Sequence, residues 1–431
     1  MIARCLLVAS AALALVAPAA AQDFAITNAT VATGDGSEPL ENATVVVRDG
    51  HVVAAGTGVS APSGVEVIDG SGKWVTPGIF SAVTTLGLAD VDAVSESNDT
   101  SARNSPFSAA LDVAPAINPA SQQLLVARAD GITRASIEPQ PASGIFGGQG
   151  AVIDLGADAD PITRARAFQI VALGEAGARL AGGSRTGTYA WLDNALHEAQ
   201  AYAAGRWSGE DAMLTRADAE ALGPVVTGQQ ALYVRVERAA DIREVLKLAR
   251  DFPRLDLVLL GVSEGWLVAN DIAAAGVPVI ADPLDDLPTG FDQIAATQSN
   301  IGRMQAAGVT VAIGGMEGGT AEQPRNARQY AGNLVALTRI PGANGLSWGQ
   351  ALATITSIPA RIAGVGDRLG TLSPGATADV VIWDGDPLEV GSAAEAVFID
   401  GVRQPVDNHQ TRLRERYRDL DESDLPKAYD W

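Results

Sequence analysis

At 431 residues, 47% of them hydrophobic, the chain is long enough to bury a large core and to divide into two or three domains. Its 30 basic residues against 51 acidic ones give a formal charge of −21, a surface that repels nucleic acid and anionic membranes. The only cysteine is Cys5, so disulfide and thiol chemistry have no part in the folded body.

The chain opens like an export signal. Arg4 supplies the positive start, residues 5–16 an apolar stretch, and Ala19, Ala20 and Ala21 a small-residue cleavage site before Gln22. The apolar stretch is short for a membrane span, and no later stretch supplies one. The expectation is an exported protein, periplasmic or secreted, with residues 1–21 removed and no membrane span remaining.

Short strands are expected over residues 22–74. Residues 24–31 alternate weakly, residues 43–47 and 51–55 flank the hairpin signal Asp49-Gly50, and residues 65–68 end at Asp69-Gly70. Next comes VTPGIFSAVTTLGL, residues 75–88, an apolar run opened by a Pro-Gly turn and read as a strand buried on both faces. From there to residue 367 the pattern is strand, loop, amphipathic helix, repeated. Strands are expected at 132–137, 232–236, 257–260, 277–281 and 309–313, with helices at 241–250 and around 266–275. In the helix at 241–250, Ile242, Val245, Leu246 and Ala249 share one face, and Asp241 with Glu244 suits a variant capping box. Strands and helices alternating at this spacing predict an α/β fold, a parallel sheet closed as a (β/α)₈ barrel. Residues 161–200 read as helical, which leaves the third and fourth strands without a position. Short strands return at 378–383 and 397–399, followed by a charged tail from residue 406.

The stretch from Gly345 to Glu389 carries the most specific motifs. Thr356-x-x-Pro359-Ala360 ends a helix, Gly370-x-Leu372-x-x-Gly375 forms a turn, and Ala378-Asp379-Val380 begins a strand. Together with Phe398-Ile399-Asp400-Gly401 and the Val47-Arg48-Asp49-Gly50 hairpin, these resemble the amidohydrolase superfamily, in its imidazolonepropionase-like and dihydroorotase-like branch. The resemblance covers nearly all of residues 24–405. It implies a (β/α)₈ barrel over 75–367 and a composite β-sandwich from 22–74 and 368–405. It also implies a catalytic metal, zinc in the family, and hydrolysis of non-peptide C–N bonds such as amides and cyclic amides. The stretch 131–155 resembles a loop of the family's exported branch. There Gly144, Gly147, Gly148 and Gly150 permit close backbone approach, to a ligand or simply in a tight turn.

At the ligand positions implied by the resemblance stand other residues. The first barrel strand would end in His-x-His, and here reads Val83-Thr84-Thr85. A later histidine falls on Arg235, which is permanently charged and offers no lone pair. The last-strand aspartate falls on Gly314-Gly315-Met316, and Met316 can neither ligate a hard metal nor take a proton. The three histidines are His51 after a hairpin turn, His197 in a helix and His409 in the tail; none is expected to end a barrel strand. Lys73, Lys247 and Lys427 are likewise misplaced for a carboxylated bridging lysine. No metal and no other cofactor is therefore expected.

Five carboxylates, Glu138, Glu237, Glu264, Asp282 and Glu317, fall at or just beyond strand ends. Converging, they could hold Mg²⁺, Ca²⁺ or Mn²⁺, or act as an acid/base pair beside Arg235 as an anion or carbonyl clamp. Apart, they are solvated charges or partners of Arg134 and Arg235. Two functions follow. One is a non-catalytic binding or partner subunit, associating with an intact paralogue or with itself and open to a small-molecule ligand. The other is an active hydrolase with a nonstandard carboxylate/Arg site.

Overall fold

The computed structural model describes residues 21–91, 94–314 and 323–418. Strands β1 (Phe24–Val31), β2 (Leu40–Arg48), β3 (His51–Gly56), β4 (Glu66–Asp69) and β5 (Trp74–Pro77) come first. The middle of the chain runs β6 (Ile79–Thr84), α1 (Gln122–Ala129), β7 (Ile132–Ile137), β8 (Phe146–Asp154), β9 (Ile162–Ala172), α2 (Gly174–Leu180), α3 (Arg185–Ala203), α4 (Arg216–Val226) and β10 (Ala231–Val236). It continues through α5 (Ala239–Asp251), β11 (Leu257–Gly261), α6 (Ala269–Ala275), β12 (Val279–Ala281), α7 (Asn300–Ala306), β13 (Val311–Ile313), α8 (Asn326–Ala336), α9 (Trp348–Ala353) and α10 (Ser357–Ile362). The end is β14 (Val380–Trp383), β15 (Ala394–Ile399), β16 (Val402–Arg403) and α11 (His409–Arg416). Among the described residues, no helix is long and apolar enough to cross a membrane. The expected export signal lies outside the described residues, apart from Ala21.

Both chain ends build one sheet, in the order β16-β15-β14-β5-β1-β2-β3, with β4 paired to β1. The hairpin forms where Asp49-Gly50 signals it. Both residues take positive φ, 50° and 75°, the backbone twist that a tight two-residue turn requires, and Arg48 faces His51. The second sheet is a nearly closed barrel in the order β6 to β13. Its interior is filled by Phe80, Ala82, Phe168, Ile170, Tyr233, Leu260 and Ile280, with the Phe168 and Tyr233 rings stacked at 4.2 Å. The terminal strands β6 and β13 do not pair. The turn between α9 and α10 stands between them: the Ile313 N–H donates to Thr354 O at 3.1 Å and the Phe80 N–H to Ile355 O at 2.9 Å.

Several expectations need correction. The apolar run from residue 75 is two strands. Trp74–Pro77 pairs with β14 and β1 in the terminal sheet, and Ile79–Thr84 opens the barrel. Gly78 makes the step between sheets, where a Cβ would lie 2.1 Å from Thr133 Oγ1. The missing third and fourth strands are β8 and β9. The first occupies the glycine-rich stretch expected to be a loop, and the second takes up 162–172 of the segment expected to be helical. Pairing around β8 is antiparallel on both sides, so the barrel is not eight uniform βα units. The glycines serve that packing: a Cβ on Gly150 would meet Phe168 Cζ at 2.2 Å, and one on Gly148 would meet Leu111 O at 2.7 Å. Helix α5 begins at Ala239 with Arg238 as its N-cap, so no Asp241–Glu244 capping box forms. Asp241 instead accepts from Arg185 Nε at 3.0 Å, Arg238 Nη2 at 3.1 Å and Tyr189 Oη at 3.1 Å.

At the opposite end of the barrel from its mouth, Arg134 of β7 fastens barrel to terminal sheet. Its Nε and Nη2 donate to the two oxygens of Asp379 at 2.7 and 3.0 Å, and Nη2 also reaches Asp400 Oδ1 at 2.7 Å. Asp154 Oδ2 stands 3.8 Å from Nη1. Burial pushes the Asp154 carboxyl up to about 6 against the pull of the Arg134 guanidinium and the Gly156 N–H, with like charge on Asp158 and Asp400 adding a smaller push in the same direction.

Candidate functional site

The C-terminal ends of β9 and β10 open into a polar cleft of about 470 Å³, counting its open mouth. Arg235 and Glu237 line it from β10 and the residue beyond, Glu175 and Arg179 from α2, and Asp292 and Gln293 from the loop after β12. Backbone geometry joins these walls. The Leu173 N–H donates to Arg235 O at 2.9 Å, and Gly174, at φ 60°, turns the chain into α2. The Glu175 N–H then donates to Asp292 Oδ2 at 2.9 Å, where a Cβ on Gly174 would come within 2.8 Å of the same oxygen. Arg185 lies 3.8 Å from both Glu175 and Asp292, close enough to balance charge.

Arg235 lies two residues beyond Tyr233 on β10, on the same face, and so points into the barrel mouth. Its Nη2 donates to both oxygens of Glu138, at 3.1 and 3.2 Å, tying β10 to the residue after β7. The Glu138 side chain is only 3% exposed. Glu237 Oε2 accepts from Ser263 N at 2.9 Å and Ser263 Oγ at 2.7 Å, and a Cβ on Gly261, which sits at φ 92°, would lie 2.0 Å from Glu237 Oε1. Glu264 accepts the Ala239 N–H at 3.0 Å and the Ala295 N–H at 3.1 Å, pinning the start of α5 to the loop after β12. Asp282, half-buried, takes a long bond of 3.4 Å from the Leu284 N–H.

Of the five carboxylates expected near the strand ends, Glu138 and Glu237 thus reach the same mouth as Arg235. Glu264 turns its oxygens to backbone amides instead. Glu317 and Met316 lie outside the described residues. Val83 is buried in the barrel-interior cluster and Thr85 is buried beside it. His51 starts β3 in the terminal sheet, His197 lies on α3 with Nδ1 2.9 Å from Asp193 O, and His409 starts α11. Glu175, Arg179, Asp292 and Gln293 were not singled out from the sequence. The Asp-rich turn stretch PLDDLPTGFDQI, residues 283–294, was the signal available for the last two.

Sequence and structure comparisons agree with this architecture. A model of the amidohydrolase family matches residues 264–403. The structure aligns with the crystal structure of an amidohydrolase from Thermotoga maritima MSB8 at a TM-score of 0.77 and 25% identity, covering 88% of this chain and 99% of that one. A 60-residue stretch, 14% of the chain, is 50% identical to amidohydrolase tasK of Hapsidospora irregularis but spans 6% of that protein. Residues 264–403 thus match the amidohydrolase family, and the fold as a whole supports the amidohydrolase superfamily. A zinc-bound adenosine deaminase from Xanthomonas campestris shares the fold at a TM-score of 0.51 and 17% identity, over 92% of this chain and 98% of that one. In this amidohydrolase-like chain, no three His, Cys, Asp or Glu side chains among the described residues are gathered as a metal ion would need. Among the described residues, the donors at the barrel mouth are carboxylates and a guanidinium, without imidazole, and do not suit zinc.

Proposed function

We propose that this chain is an amidohydrolase-fold protein without the metal-dependent hydrolysis of its relatives, acting outside the cytoplasm as a binding or partner subunit. The observation that carries this reading is the Arg235–Glu138 pair in the barrel mouth. Hydrolysis of a C–N bond by the family route needs an ion, a water it activates, and a group to move the proton. A guanidinium supplies no lone pair for an ion and remains protonated, so it serves neither the first task nor the last. The nearby carboxylates are engaged in local structure: Glu138 holds Arg235, Glu237 holds Ser263, and Glu264 holds two backbone amides. Fold alone does not carry function when a site's chemistry has changed. The cleft that remains carries both signs of charge and suits a small polar ligand, and an intact paralogue or a second copy is the partner class we favour.

The test is elemental analysis of protein purified without chelators or a nickel column. Under this proposal each transition metal, and Mn, stays below about a tenth of an equivalent. Close to one equivalent surviving dialysis would overturn it. A second reading is kept because Arg235 and Glu237 share the cleft with Asp292. It is a hydrolase in which a carboxylate activates water and Arg235 clamps the carbonyl. Glu237→Gln and Asp292→Asn, made separately, examine it: if an activity is found and neither change lowers it, that reading is finished.

A further inference from the structure

The loop after β12 has its polarity inside out. Asp292 and Gln293 are buried against the cleft, while Leu287, Phe291 and Ile294 are 79%, 82% and 65% exposed within eight residues. A loop with this pattern is built to be covered on its outer side. Its charge restricts what can cover it. Asp286 is exposed and Asp282 and Asp285 are part-exposed along it, and no Lys, Arg or His occurs between Arg254 and Arg303. The matching surface is apolar and cationic.

The chain carries such a surface itself, in a different place. Helix α11 has no buried residue; Leu413 within it and Tyr417 just after it, 47% and 60% exposed, stand among Arg412, Arg414, Arg416 and Arg418. Of these, Arg412 pairs with Asp407 and Arg418 with Glu415, leaving the stretch net positive. It begins beside α1 and Arg325, whose Nη1 lies 3.4 Å from Gln410 Oε1, next to the start of α8. The acidic loop lies instead against α2 and the end of β10. Resting on the partner-subunit reading above, we propose that α11 of a second copy of this chain docks on the 282–294 loop. The apolar residues on the two faces expose on the order of 600 Å², and flanking Asp and Arg side chains bring the contact towards the roughly 1,000 Å² that a specific interface needs. Because the two faces differ, the contact is head to tail and repeats into a ring or a chain, with each added copy lying over the neighbouring cleft.

Sedimentation velocity on the full-length mature protein, from about 1 to 100 µM, is the measurement. The expected result is assembly that grows with concentration and weakens as salt is raised from about 0.05 to 0.5 M. Leu287→Asp with Phe291→Asp should weaken it about tenfold or more, as should Arg412→Glu with Arg414→Glu. Each double variant keeps one good face, so mixing the two should give a one-to-one dimer that neither forms alone. Circular dichroism and melting temperature check that both variants fold. A wild-type protein that stays monomeric, an assembly neither variant changes, or association only with a foreign basic protein would overturn the proposal. Metal content read on the same samples separates the two ideas. A metal-free monomer removes this docking and leaves the non-catalytic reading intact, whereas a metal-loaded assembly does the reverse.

Discussion

Replacing Arg235 with methionine would leave the Glu138 carboxylate in the barrel mouth without the guanidinium that now bonds both its oxygens, at 3.1 and 3.2 Å. With the Glu138 side chain 3% exposed, water cannot take over that role at low cost. Breaking a buried pair from one side typically costs about 3–5 kcal/mol, and because Arg235 also borders the cleft we expect the lower end, about 3 kcal/mol. Removing both charges, with Glu138→Gln added, should return all but about 1 kcal/mol, since the loss comes mainly from the stranded charge rather than from the missing bonds. Urea unfolding followed by tryptophan fluorescence gives both values if the slope with denaturant is unchanged between variants. A single variant within about 1 kcal/mol of wild type would mean that the pair does not hold the mouth together. A double variant as unstable as the single one would refute the stranded-charge argument as well.

Other positions give independent tests. The Asp154 carboxyl sits at about 6 in the fold, above its unfolded value, so the fold favours its protonated form and loses stability as pH rises from about 4 to 6. Asp154→Asn should therefore raise stability by about 1–2 kcal/mol at pH 7.5 and by nearly nothing at pH 4, read from melting temperatures across that range. Arg134→Lys should destabilise by at least about 2 kcal/mol, because one ammonium cannot bond both Asp379 oxygens and Asp400 as the guanidinium does; chemical denaturation measures it. Gly131→Ala should cost about 2–4 kcal/mol, since φ is 85° and the new Cβ would lie 2.4 Å from Trp383 Cη2; a melting temperature unchanged from wild type would count against that packing.

The sequence is most readable where local chemistry decides the outcome. Asp49-Gly50 sets its hairpin because two consecutive positive φ values demand such residues, and β7, β10 and β11 stand out as apolar runs near their observed places. Misreadings came where a neighbour decides. Gly148 and Gly150 look like loop residues until Leu111 and Phe168 are seen to occupy the space beside them. In β9, residues 163–166 are exposed and 167–172 are buried without alternation, so no period of two marks it as a strand. The break at Pro77–Gly78 is hidden because both halves of the run are buried, in two different sheets. For the site, the residues standing at the positions the resemblance implies could be named, but their partners could not. Nothing local links Arg235 to Glu138, 97 residues away, or Glu264 to the N–H groups of Ala239 and Ala295.

The family motifs and the chemistry sit at opposite ends of the same strand. Arg134 of β7 and Glu138 just beyond its end are four residues apart, about 13 Å along the strand direction. Arg134 is held by Asp379, from the Ala-Asp-Val motif, and by Asp400, from the Asp-Gly ending. These contacts join the barrel to the terminal sheet, while Trp383 Nε1 bonds Thr76 Oγ1 at 2.9 Å within that sheet, between β14 and β5. They concern stability, which in barrels of this kind belongs to the face away from the strand C-termini. Substitution at Val83 or Arg235 leaves that junction untouched, so a chain can keep every motif that marks its family while the opposite face takes on different chemistry. The coupling between faces is then measurable: a double-mutant cycle of Arg134→Lys with Arg235→Met should be additive to within about 0.5 kcal/mol, and a larger interaction energy would mean that the two ends of the barrel are not independent.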